Sequence, residues 1–169
     1  MKELIEKISS YNIFNNFLPG VLFVIIAKYF TSYDFIQGDI LYGLFLYYFI
    51  GIIISRFGSV AIENTLKKWK FIRSADYKDY IKVQKKDNKI DVLLEARNMF
   101  RTFCSMGFLL LILKLYEYIS IKFCFCDTAT SILLIVSIFV LFLFSYRKQS
   151  DYIRRRVENQ KDETDDASS

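Results

Sequence analysis

The polar residues that interrupt the apolar stretches of this chain are few, and their spacing indicates what they could do. Arg56, Ser59 and Glu63 fall at i, i+3 and i+7, which places them on one strip of a helix. Charges at the end of an apolar run cost free energy unless they find partners, so this strip is a candidate gate or pore lining. The plainer reading is an anchor whose arginine snorkels to the headgroups. Ser9, Asn12 and Asn16 repeat the same spacing and form a second candidate polar strip. Lys114 and Glu117, at i and i+3, can pair on one helix face, and Lys28 lies at a similar depth in another apolar run. These three are expected to form an intramembrane ion cluster, with packing alone as its plainer role. Lys67, Lys68, Trp69, Lys70, Arg73, Lys78, Lys82, Lys85 and Lys86 make a basic run with interleaved aromatics. Such a run binds anionic headgroups, or a nucleotide or short single strand through phosphate contacts and stacking. It also serves simply as the positive charge that orients a membrane protein.

Catalytic chemistry has little to work with. The chain has no histidine, which removes the commonest general base and the commonest metal ligand. No phosphate-cradling glycine loop, nucleophile elbow or dinucleotide fingerprint occurs. Cys104, Cys124 and Cys126 give one C-x-C pair and no second pair, so they do not supply four tetrahedral zinc ligands. They read as membrane thiols, with an intersubunit link through Cys124 and Cys126 as the alternative. A non-enzyme with no cofactor and no metal is expected.

The elements that must carry these residues are helices in a membrane. The chain is 53% hydrophobic, and its apolar residues come in four blocks separated by charged segments. One proline and six glycines leave little room for long irregular loops. The reading is an all-α, polytopic membrane protein with four transmembrane helices, an N-terminal amphipathic helix and a short cytoplasmic helical segment. Residues 1–16 form the amphipathic helix, and Pro19 suits the first turn of the span after it. Residues 17–66 form a hairpin of two spans around a short acidic loop, and residues 67–100 a basic linker of two helices. Residues 101–148 form a second hairpin. Residues 149–169 are a tail whose last eight or so residues are expected to be disordered. The fourth span, almost wholly apolar, should be the most exposed to lipid. From Glu63 to Arg101 there are eleven lysines and arginines against six acidic residues, which puts this segment and both termini in the cytoplasm.

The second span, 40–66, is the organising element. Gly51, Ser55, Gly58 and Ser59 make a small-residue stripe where another helix can approach closely. A four-span chain is too thin to enclose a conducting path alone, so conduction would require copies packed through such a stripe, with the polar strips around an axis.

The opening YNIFNNFLPG (residues 11–20), the segment GIIISRFGSVAIE (residues 51–63), the basic linker and the size together resemble the small multi-span membrane effectors of bacterial antiphage defence, of the CBASS and Hailong kinds. The resemblance implies an inner-membrane effector that answers a messenger made by a cognate nucleotidyltransferase. A Hailong-type protein would be an oligomeric ion channel, with a tetramer as the expected state, held shut by short DNA oligomers and released on infection. A CBASS-type effector would open on binding a cyclic oligonucleotide. The chain departs from the CBASS pattern in lacking a separate sensor domain, which favours a ligand held by its own basic helices. The leading expectation is therefore a homo-oligomeric ion channel or pore in the bacterial inner membrane, gated by a nucleotide-derived ligand and causing depolarisation and growth arrest. The alternative is a non-conducting scaffold or accessory subunit that binds a partner through the second span. A lipid-directed membrane enzyme ranks third.

Overall fold

In the computed structural model, the structure describes residues 2–73, 89–123 and 127–166, with side chains at 15–73, 89–122 and 130–158. Every regular element among them is helical: α1 (Lys2–Phe30), α2 (Ile40–Phe57), a π-helical turn (Gly58–Ile62), α3 (Glu63–Lys68), α4 (Lys89–Phe123) and α5 (Asp127–Asp166). Three helical stretches are long and apolar enough to cross a membrane, Ile40–Lys68, Lys89–Lys122 and Thr130–Glu158, and α1 holds a shorter apolar stretch, Asn15–Phe30.

α1 is one element where the sequence suggested two. It runs unbroken through Pro19, so the expected division at residue 16 does not exist. A proline inside a helix loses one backbone bond and costs roughly 3 kcal/mol. Here the residues around it offset that cost, because Pro19 and Gly20 are both buried and α1 packs along α2. The helix ends three residues before Tyr33, where Thr31 returns both its N–H and its hydroxyl to the Ala27 carbonyl. Asp39 then caps α2, its side chain accepting from the backbone N–H of Leu41 and Tyr42 at 2.8 and 3.1 Å.

α2 is the centre of the bundle, packing against α1, α4 and α5. Two glycines set its crossing with α1. A methyl group on Gly51 would lie 1.7 Å from the Asn16 carbonyl oxygen, and one on Gly20 would lie 1.9 Å from that of Tyr47. The two backbones therefore touch, antiparallel, at a point that any larger side chain would hold apart. On the far side, Gly58 faces α4, where an added methyl would meet Ser105 Cβ at 3.1 Å and the Arg101 carbonyl at 3.3 Å. The small-residue stripe is thus filled by helices of the same chain. At these two positions the close approach expected of the stripe is made within the chain: α1 occupies Gly51 and α4 occupies Gly58.

The π turn sits where α4 docks. Glu63 donates its N–H to the Gly58 carbonyl, one residue further back than in an α-helix. The Ile54 carbonyl, which shares the Gly58 N–H with Ser55, also accepts the Ser105 hydroxyl at 2.7 Å. Phe57 stacks on Phe108 in the same crossing, ring centres 5.9 Å apart. α5 runs parallel to α2, with Phe49 against Phe142 near one end and Ser59 against Lys148 near the other. Its apolar window contains no buried residue, against 17% of that in α2, so the surface expected to face lipid is the one the chain itself leaves most open.

α3 ends in a Schellman turn. Phe71 N–H reaches the Leu66 carbonyl at 3.0 Å and Lys70 N–H the Lys67 carbonyl at 3.1 Å, with Lys70 in the left-handed region at φ 57°. At the other end of the chain α5 continues into the tail as far as Asp166. Once a long helix is nucleated, each further residue adds a bond at little cost, and Glu158, Gln160 and Lys161 are good helix formers leading into that end. Residues 89–101 are continuous with the third span in α4.

Candidate functional site

Among the described residues, the side chain with the most charged partners is Glu63. Its own side chain is 5% exposed, and its two oxygens meet four cations from three helical segments. Oε1 takes Lys67 at 2.8 Å and Arg97 at 3.1 Å; Oε2 takes Arg101 at 3.0 Å and Lys148 at 3.2 Å. A carboxylate offers about four lone-pair sites, so Glu63 is filled. Lys148 also donates to the Ser59 hydroxyl at 3.0 Å and to the Ser59 carbonyl. One anion thus joins α3, α4 and α5, through charge-assisted bonds in which each cation supplies only part of its donor set.

The π turn decides which residues reach this hub. In an uninterrupted α-helix Arg56 and Glu63 would share a face, as their spacing suggests. The wider turn between them takes one extra residue, which sets Glu63 back by about 100°. Arg56 is accordingly exposed, with no ion pair among the described residues, while Glu63 is buried. The expected strip of Arg56, Ser59 and Glu63 is therefore split: Ser59 and Glu63 share the hub through Lys148, and Arg56 points elsewhere.

The other expected groupings fare unevenly. Lys114 and Glu117 are paired at 2.8 Å, and Glu117 is buried. Lys28 does not join them; it bonds Asp34 at 3.0 Å, a partner six positions away that needs no second helix to be ordered. The second partner of Glu117 is Ser32, which donates both its backbone N–H, at 2.9 Å, and its hydroxyl. This contact ties the 31–39 loop to α4. Asp34, in the same loop and outside the spans, accepts the Ile36 N–H at 2.9 Å and the Lys28 ammonium, and these bonds hold its carboxyl below the usual carboxylate range.

Of the basic run, Lys67 belongs to the hub, while Lys68, Trp69, Lys70 and Arg73 are exposed around the Schellman turn. Lys78, Lys82, Lys85 and Lys86 lie outside the described residues, as do Cys124 and Cys126 and the side chains of Ser9 and Asn12. Asn16 meets α2 through its backbone carbonyl. The hub's three remaining cations, Arg97, Arg101 and Lys148, were not singled out from the sequence. One signal was there to find: two arginines at i and i+4 repel on a helix unless an anion lies between them.

Comparison of the chain with family models, with curated proteins and with solved structures found no match. What fold and site define together is an all-helical, membrane-associated protein with two clusters that join its helices through a buried glutamate, around Glu63 and around Glu117.

Proposed function

We propose that this chain is a four-span, homo-oligomeric ion channel or pore effector of a bacterial inner membrane, with both termini in the cytoplasm, gated by a nucleotide-derived anionic ligand. The observation that carries the reading is the Glu63 hub. It lies at the start of α3, one turn before the basic linker, and its single carboxylate joins Lys67 to Arg97 and Arg101 of α4 and Lys148 of α5. A ligand that draws on Lys67 or Arg97 therefore pulls directly on three helices, with no sensor domain between. The exposed apolar faces of α4 and α5 support assembly, since lipid or other copies must cover them. Antiphage defence is the setting suggested by the resemblance of residues 11–20 and 51–63 to such effectors. With α1 against Gly51 and α4 against Gly58, contacts between copies, like those to any partner in the scaffold reading, fall to the exposed apolar faces of α4 and α5.

Purified protein in planar bilayers tests the proposal. Discrete conductance steps that change on adding short oligodeoxynucleotides are expected, together with depolarisation of cells on overexpression. Arg56→Ala, exposed and outside the hub, should reduce depolarisation without loss of folded protein. Silent bilayers under every oligonucleotide condition, with stable co-purification of a second protein, would overturn the channel in favour of the scaffold.

A further inference from the structure

We propose that the Glu63 hub is a binding site for a phosphate-class anion, either the headgroup phosphate of an anionic lipid or a free phosphate group. Its ligating donors are those of Lys67, Arg97 and Arg101 that Glu63 leaves unused. The inference rests on the membrane placement of the chain and not on ion conduction.

Donor counting carries the first step. Lys148 has three N–H donors and directs them to Glu63, the Ser59 hydroxyl and the Ser59 carbonyl, so it is complete. Lys67 has three donors and Arg97 and Arg101 have five each, yet each has one bonded acceptor among the described residues, namely Glu63. The Nε of Arg101 is buried without any acceptor. Glu63 has no lone pair left to offer them. A second acceptor group rich in oxygens is what this set of donors lacks.

Charge leads to the same conclusion. Four cations surround one carboxylate, a formal surplus of three positive charges within one cluster. At helix–helix contact distances such a surplus is repulsive, and an anion beside it removes the repulsion. Accessibility then fixes where the anion sits. The side chains of Arg97 and Lys67 are 48% and 36% exposed, against 21% for Arg101 and Lys148 and 5% for Glu63. The carboxylate is the floor and the spare donors form an open rim. Guanidinium forks match the tetrahedral oxygens of phosphate, and the rim stands where the apolar runs of α2, α4 and α5 give way to charged residues, which is where a headgroup phosphate would meet such helices.

Native mass spectrometry of the full chain in detergent tests the site with phosphatidylglycerol, with phosphatidylcholine as the neutral lipid, and with inorganic phosphate as competitor. Preferential retention of phosphatidylglycerol is expected. The double variant K67Q/R97Q should bind it about tenfold more weakly, the scale of losing charge-assisted hydrogen bonds. R155Q/R156Q removes the same charge from an exposed stretch of α5 outside the hub and should stay within about twofold. Displacement by millimolar phosphate would show that the site also takes a free anion, and lipid retention without displacement would assign it to the headgroup; both support the site. Equal retention of the two lipids without phosphate binding, or equal loss in the two double variants, would overturn it. Should K67Q/R97Q not fold, Arg97→Lys keeps the charge and removes the fork. Binding by that variant as tight as wild type would equally count against the proposal.

Discussion

Replacing Glu63 by glutamine is the most direct perturbation of the bundle. The substitution keeps the size of the side chain and one acceptor oxygen, and it turns the other oxygen into an NH2 group facing two cations. Four charge-assisted bonds of 2.8 to 3.2 Å lose their charged acceptor. Breaking a buried ion pair by removing one partner costs about 3–5 kcal/mol, because the charge left behind is no longer compensated. Here the cost falls unequally. Arg97 and Lys67 are exposed enough to turn to solvent on release, so each contributes no more than a surface pair, about 0–1 kcal/mol. Arg101 and Lys148 are four-fifths covered and cannot do so. The expected destabilisation is about 3 kcal/mol, at the lower end of the range for a buried pair. Reversible unfolding in mixed micelles measures it, and double-mutant cycles apportion it. Coupling between Glu63→Gln and Lys148→Met should be about 2 kcal/mol, and coupling with Arg97→Gln below about 1 kcal/mol. If E63Q unfolds within about 0.5 kcal/mol of wild type, or if Arg97 couples more strongly than Lys148, the hub is not what joins these helices.

Three further outcomes follow from the packing and the loops. Gly51→Ala would place a methyl group 1.7 Å from a carbonyl oxygen, forcing α1 and α2 apart, with an expected loss of about 1–3 kcal/mol; Gly107→Ala, which meets nothing within 4 Å, should be neutral or gain up to about 1 kcal/mol from helix propensity. Equal melting temperatures for these two variants would remove the close crossing from the explanation. Lys70→Gly relieves a left-handed backbone at φ 57° and should stabilise by about 0.5–1 kcal/mol in thermal unfolding, while leaving lipid retention at the hub unchanged. The Asp34 carboxyl is held below its ordinary range by the Ile36 N–H and Lys28, so its contribution is present above the unfolded pKa of about 4 and is lost as the pH falls through the lower folded value. Acid titration of unfolding should therefore show a component below about pH 4 that disappears in Asp34→Asn. A component unchanged in the variant would assign that titration to another group.

Much of the plan was legible in the sequence because it depends on quantities that add along the chain. Long uncharged runs with few glycines and one proline can satisfy their backbone in lipid only as helices, which is why α2, α4 and α5 could be anticipated from composition and length. The Lys114–Glu117 pair was equally accessible, since both partners lie on one helix three residues apart. The prominence of the second span, with its small residues and its glutamate, also came from local pattern alone.

What the tertiary structure decided was partnership, which no local pattern encodes. The π turn at Gly58–Ile62 rotates Glu63 away from Arg56, and nothing in the sequence's 3.6-residue periodicity announces an extra residue in one turn. Lys28 is bonded to Asp34 rather than to Glu117 because a nearby loop residue reaches it first, whereas Glu117 is met by a serine 85 positions earlier in the chain. The small-residue stripe is identifiable from its spacing, but only the packed bundle shows that the helices filling it are α1 and α4 of the same chain. The sequence by itself thus determined that charges stand at the ends of apolar helices. The fold decided that four of those cations share one carboxylate, because only packing brings Arg97, Arg101 and Lys148 to 3.1, 3.0 and 3.2 Å from the Glu63 oxygens that Lys67 reaches from its own helix.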